Sequence, residues 1–330
     1  MKVEETLQKI LDQYATFKVP PIENMSPANA RNAPTLKNAV EEMNAEHVAN
    51  RVMNLAKPMP EPVGKVTHTL IPGPGGDILA RVYTPNGDGP FPVLVYFHGG
   101  GWVIANLDVY EPSCRALCNA AECVVVSVAY RQAPENKYPA AAEDAFAALQ
   151  WVMDNTAALN GIAGSVAVGG ESAGGNLATV SCLMSKEKSL PLPVFQLLVY
   201  PITNYAFDTP SYLENANSKP LNADMMKWFF KHYLENEQDG SEPYVSPLRA
   251  ADVSGLPPAL VITAELDVLR DEGEEYAHKL QQSGVPTKQV RYPGMVHEFF
   301  SLSGVVPTAK EALEEAAEGL KAAFQSVRNR

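Results

Sequence analysis

Along the chain, apolar and polar positions fall into two rhythms. Residues 63–71 (VGKVTHTLI) and 77–85 (DILARVYTP) run β-rich or alternate on either side of GPGG, the pattern of a hairpin. Beyond them come runs of strand length, most of them continuously apolar: 91–98 (FPVLVYFH), 123–130 (CVVVSVAY), 164–168 (GSVAV), 194–201 (VFQLLVYP), 258–265 (PALVITAE) and 287–293 (TKQVRYP). Runs without alternation suit strands buried on both faces, as in a parallel sheet. Between them lie helical patterns: residues 140–155, the segment after Ser172, residues 274–284 with Gly284 as the stop, and a last helix from about Thr308. In that last helix Leu313, Ala317, Leu320, Phe324 and Val327 form one apolar stripe. Strand alternating with helix predicts a doubly wound α/β sheet.

Two segments break this alternation. Residues 1–55 are helical in pattern but precede the first strand, and residues 203–240 interrupt the rhythm after Tyr200 and Pro201. The second carries Met225, Met226, Trp228, Phe229 and Phe230. Such a cluster fits core packing or an apolar cap over a site at the carboxyl edge of the sheet.

Composition narrows the picture. With 330 residues and 46% hydrophobic content, the chain can build one large core. Its 26 basic against 38 acidic side chains give a formal charge of −12, which argues against nucleic acid and anionic membrane surfaces as partners. The first 17 residues mix charge with apolar residues at helical spacing and lack the apolar core of a secretion signal, and no run approaches spanning length. Three of the four cysteines, Cys114, Cys118 and Cys123, lack the C-x-x-C spacing of a zinc site; with Cys182 they are expected as buried thiols in a reducing, cytoplasmic setting. A homo-oligomer is compatible with the sequence but not indicated by it.

The candidate chemistry starts at residues 169–176, GGESAGGN. A G-x-S-x-G match arises in roughly one chain in ten of this length by composition alone. Here, though, it lies between an apolar strand and a helix pattern, the setting of a sharp turn that exposes a reactive serine. Ser172 needs a base, and the base an orienting acid. Of the six histidines, His47, His68, His232 and His278 fall where surface or packing roles suffice. His297, just after the last expected strand, is the candidate base. Asp267 follows the strand that ends near Ala264 and is the candidate acid, with Glu265 a close rival; Asp271 and Glu272 suit the first turn of a helix. The chain order Ser172, Asp267, His297 is that of α/β-hydrolase triads.

Attack on an ester carbonyl also requires donors for the developing oxyanion. HGGGW, residues 98–102, follows a buried strand, and its backbone N–H groups can turn inward. Gly100, Gly101 and Ala173 are the candidate donors, with His98 orienting the loop. Trp102 fits a pocket wall or core filler, and Met225 and Phe229 are cap candidates for substrate contact.

Together with YRQAPE (130–135), YPAAAED (138–144), YVSPLRA (244–250) and DVLRDEG (267–273), these motifs make residues 60–330 resemble the hormone-sensitive-lipase-like esterases, bacterial family IV, of the α/β-hydrolase fold. That resemblance implies a mostly parallel sheet flanked by helices, hydrolysis of short- to medium-chain acyl esters, and no metal or organic cofactor. It also implies a catalytic domain from 56–202 and 241–330 under a cap built from residues 1–55 and 203–240. The partner it implies is a small-molecule ester. The same triad would serve amides, lactones or acetylated small molecules, and the same fold serves as a ligand receptor where the histidine is lost. Three positions depart from the family pattern: Glu171 stands where Asp or Thr is usual, Val268 where Pro is frequent, and Glu298 where Gly is frequent. The role of Glu171 stays open at this level.

Overall fold

The computed structural model describes residues 2–50 and 61–328. Helices α1 (Glu5–Thr16), α2 (Pro27–Arg31) and α3 (Leu36–Asn50) precede the hairpin β1 (Lys65–Gly73) and β2 (Gly76–Thr84). Then come β3 (Phe91–Phe97), α4 (Glu111–Ala120), β4 (Val124–Val128), α5 (Ala140–Asp154), β5 (Gly161–Glu171), α6 (Ala173–Glu187) and β6 (Gln196–Val199). Helices α7 (Pro210–Glu214) and α8 (Ala223–Tyr233) follow, and β7 (Ala259–Leu266), α9 (Arg270–Gln282), β8 (Thr287–Val296) and α10 (Pro307–Arg328) complete the chain.

The eight strands form one sheet in the order β1-β2-β4-β3-β5-β6-β7-β8. Only β2 runs against its neighbours; every pair from β4 to β8 is parallel. The continuous apolar runs are explained by burial on both sides. Val93, Val95 and Phe97 of β3 join the core under α5, α6 and α9, whereas Leu94 and Tyr96 join the one under α4 and α10. The β1–β2 hairpin at the edge keeps one face partly open, with Leu70 and Leu79 exposed, and this is where alternation was visible.

Three elements differ from the pattern. β5 runs from Gly161, past the apolar stretch expected at 164–168. Helix α4 was not anticipated: Cys114 and Cys118, four apart, lie on its buried face with Ala116 and Leu117. The N-terminal segment divides, and residues 51–55 of the expected cap segment lie outside the described ones. Leu7, Ile10, Leu36 and Ala39 of α1 and α3 join the α4–α10 core, while Ile22 and Ala30 join the one that contains α8.

The insertion after β6 is bolted to the sheet at its base. Asn176, on α6, donates to the carbonyls of Ile202 and Val245, both at 2.9 Å. The Glu272 carboxylate accepts from the amides of Thr203 (2.7 Å) and Asn204 (3.2 Å), and Asp271 accepts from the Ser211 amide at 2.7 Å. The two acids expected merely to complement the α9 dipole therefore also anchor the insertion.

Candidate active site

Ser172 sits between the end of β5 and the start of α6 with φ 56° and ψ −119°. That left-handed backbone costs about 1–3 kcal/mol in a non-glycine residue and must be held by its surroundings. Its amide donates to the Val199 carbonyl at 2.9 Å, and its carbonyl accepts the first helical bond, from Asn176, at 3.0 Å. Gly174 permits the turn by close approach: a Cβ there would be driven into the Phe97 and His98 carbonyls of the neighbouring strand end.

The side chains that the sequence scattered over 125 positions meet at this turn. His297 Nε2 lies 3.0 Å from Ser172 Oγ, and its Nδ1 lies 2.6 Å from Asp267 Oδ2. Asp267 is fully buried, and its other oxygen accepts from the Leu269 amide at 3.0 Å. With Nδ1–H donated to Asp267, Nε2 is left to accept the serine proton. Burial works against the imidazolium, but the adjacent Asp267, together with Glu298 and Glu171, outweighs it, so the His297 pKa is raised. The rival acid, Glu265, is occupied elsewhere, accepting from the Gly294 amide at 2.8 Å.

The HGGGW loop leaves β3 directly beside the turn. Gly100 has φ +100°, and its carbonyl accepts from the amides of Val103 (3.0 Å) and Ile104 (2.9 Å). Among the described residues, the amides of Gly100, Gly101 and Ala173 donate to no protein acceptor. His98 stacks on Tyr130, with ring centroids 4.4 Å apart, and its Nδ1 is 2.7 Å from the Gly99 carbonyl. Burial depresses its pKa to about 4, so it stays neutral.

Helix α8 of the insertion packs on this loop. Phe229 covers Gly101 so closely that a Cβ there would enter its ring. Met225, one turn earlier on α8, is buried with it. Trp102 is 0% exposed and stacks on Tyr233 at 4.1 Å with a 6° tilt, the arrangement of a packed core residue. Arg31 of α2 fastens the loop from the other side: its guanidinium donates to the Val103 carbonyl (2.8 Å), to the Ala133 carbonyl (2.7 Å), and with two nitrogens to Glu135. Sequence reasoning missed Arg31, because its own helix carries no motif and nothing local links it to Ala133 and Glu135 of YRQAPE, about a hundred positions away. Glu298 has φ 66°, which explains why glycine suits that position: a side chain there pays the left-handed penalty.

A family model for the α/β-hydrolase fold matches residues 94–301. The chain is 39% identical over 294 residues, 87% of its length and 78% of the relative's, to the carboxylic ester hydrolase LipN of Mycobacterium tuberculosis. It is 42% identical over 259 residues to the carboxylesterase NlhH of the same organism, covering 76% of this chain and 80% of that one. Among solved structures, an esterase of Pyrobaculum calidifontis superposes with a TM-score of 0.85 at 40% identity, over 97% of this chain and 98% of that one. No helix among the described residues is long and apolar enough to cross a membrane. With strand order, nucleophile turn and relatives in agreement, the chain belongs to the hormone-sensitive-lipase-like family of carboxylic ester hydrolases within the α/β-hydrolase fold.

Proposed function

We propose that the protein hydrolyses short- to medium-chain acyl esters of small molecules through an acyl-enzyme, with Ser172 as nucleophile, His297 as base and Asp267 as orienting acid. The observation that carries this reading is His297 bridging Ser172 and Asp267 at 3.0 and 2.6 Å. His297 takes the hydroxyl proton as Ser172 Oγ bonds to the ester carbonyl carbon. The carbonyl oxygen becomes an oxyanion and is met by the amides of Gly100, Gly101 and Ala173. Collapse breaks the bond to the alkoxy oxygen, which leaves as alcohol with the proton from His297. Water then repeats the cycle on the acyl-enzyme and releases the acid.

Asp267 stabilises the imidazolium formed in each half, consistent with the raised His297 pKa. The three amides are supported as the oxyanion site by their lack of other acceptors; one such donor is worth about 3 kcal/mol of barrier. Met225 and Phe229 wall the substrate against the loop, and Trp102 packs on Phe230 and Tyr233 of the same helix. Residues 203–240 and the N-terminal segment form the cap over the catalytic domain. The four unpaired, buried cysteines support a reducing, cytoplasmic setting.

The test is Ser172→Ala against a series of p-nitrophenyl esters of increasing acyl length, with an amide and a lactone alongside. Turnover should fall by at least about 10⁴-fold, and wild-type rates should peak at short to medium chains. Ester turnover persisting in Ser172→Ala would overturn the assignment of the nucleophile.

A further inference from the structure

Glu171, which the proposed mechanism does not use, lies with no exposed surface immediately before the nucleophile. One carboxylate oxygen accepts from the Tyr96 hydroxyl of β3 and the other from the hydroxyl of Tyr200, which follows β6. All three side chains are buried. Hydrocarbon would fill such a space at less cost than a carboxyl group, which must be stripped of water and then satisfied. What the carboxyl group adds is a fixed post with two directed bonds.

The more telling of its partners is Tyr200. Its ring lies 4.5 Å from the His297 ring at a 49° tilt. Its backbone has φ 34°, which a bulky residue rarely adopts. Two bonds hold it there: its amide donates to the Ile262 carbonyl at 2.6 Å, and its hydroxyl donates to Glu171. His297 itself is a loop residue, fixed by Asp267 at Nδ1 but with its ring plane supported only by packing. A misplaced imidazole loses alignment with Ser172 Oγ without losing the fold.

We propose that Glu171 is a positioning residue of the triad, holding the Tyr200 ring against His297 so that the imidazole stays aligned between Asp267 and Ser172. This rests on the assignment of Ser172, Asp267 and His297. Glu171 touches no reacting atom; its charge is also felt directly by His297, but its hold on the orientation of the ring passes through the Tyr200 hydroxyl.

The test is a double-mutant cycle of Glu171→Gln and Tyr200→Phe, read as kcat and KM on one p-nitrophenyl ester, with melting temperatures measured in parallel. Gln keeps the size but cannot accept from both hydroxyls; Phe keeps the ring but loses the bond. Each single variant should lower kcat about tenfold and leave KM within about twofold. Because both break one link, the double variant should be about as slow as the slower single. Losses that multiply to about 100-fold, or a folded Tyr200→Phe with wild-type kcat, would overturn the proposal. Should Glu171→Gln fail to fold, Tyr200→Phe alone still decides it. Ser172→Ala is run beside them: if it is inactive while Tyr200→Phe is unimpaired, only the positioning role fails, and if it stays active the triad itself is wrong.

Discussion

Asp267→Asn exchanges one oxygen for an NH2, and the surroundings dictate which way the new amide faces. The Oδ1 position accepts from the Leu269 amide at 3.0 Å, and the Oδ2 position accepts from His297 Nδ1 at 2.6 Å. If the amide oxygen turned to His297, the NH2 would meet the Leu269 N–H, donor against donor, and leave a buried N–H unpaired at a cost of about 1–3 kcal/mol. If the oxygen stays with Leu269, the NH2 donates to His297 Nδ1, and the imidazole needs only to move its proton to Nε2. The second arrangement pairs both the Leu269 amide and His297 Nδ1 and should win. It leaves Nε2 as a donor facing Ser172 Oγ at 3.0 Å, so the serine has no base. A wrong tautomer in a nearly unchanged geometry costs about 10⁴-fold in kcat, roughly 5.5 kcal/mol of barrier. The assay is kcat on a p-nitrophenyl ester at the pH of the wild-type plateau, with thermal unfolding as the control for folding. Glu265→Gln, run alongside, keeps an acceptor for the Gly294 amide and should stay within about threefold of wild type. If Asp267→Asn retained activity within tenfold while Glu265→Gln collapsed, the orienting acid would be Glu265 and the reasoning would fail.

Two further outcomes follow from the same geometry. Because Asp267, with Glu298 and Glu171, raises the His297 pKa above its ordinary 6.5 against the effect of burial, the imidazolium that cannot accept the serine proton persists to higher pH than for free imidazole. The acid limb of kcat/KM should therefore have its midpoint above 6.5, with activity gained as pH rises through it, and a midpoint below 6.5 in a pH–rate profile would contradict this. Trp102→Ala removes a fully buried ring stacked on Tyr233, so urea unfolding should show a loss of about 3–5 kcal/mol. Its ratio of kcat/KM values between short and longer acyl esters should also move, as Phe230 and Tyr233 of α8 lose the ring they pack on.

The sheet was readable from the chain because parallel strands buried on both faces need continuous apolar runs, and Val93–Phe97 or Val124–Val128 could serve as little else. Helix α4 was not, since three cysteines in CRALCNAAEC drew attention as possible ligands and hid the four-residue spacing that puts Cys114 and Cys118 on one buried face. Ser172 and His297 announced themselves through the small residues beside one and the strand end before the other. Asp267 was separable from Glu265 only in three dimensions, by the groups each carboxylate faces. Glu171 and Arg31 could not be read at all, because their meaning lies in partners 29 to 104 residues away along the chain. Local pattern records periodicity and turn chemistry; it carries nothing about which distant groups a side chain will meet.

The segments that anchor the insertion also carry Ser172 and Asp267. Asn176, which ties Ile202 and Val245 to α6, is the fourth residue after the nucleophile and donates its own amide to the Ser172 carbonyl. The Ser211 hydroxyl donates to the carbonyl of Val268, the residue after Asp267, at 2.7 Å, and Asp271 and Glu272 hold the insertion from the first turn of the next helix. Glu272 is buried, and burial pushes its pKa well upward against the two backbone amides that favour its charge. The lower part of the insertion is therefore continuous with the segments that carry Ser172 and Asp267 through buried hydrogen bonds, each expensive to leave unmade. At the outer contact the insertion meets the HGGGW loop through the apolar Phe229 ring over Gly101, which is cheaper to part than these bonds. Substitutions at that contact should change specificity and access, whereas substitutions at Asn176 or Glu272 should change stability and kcat together.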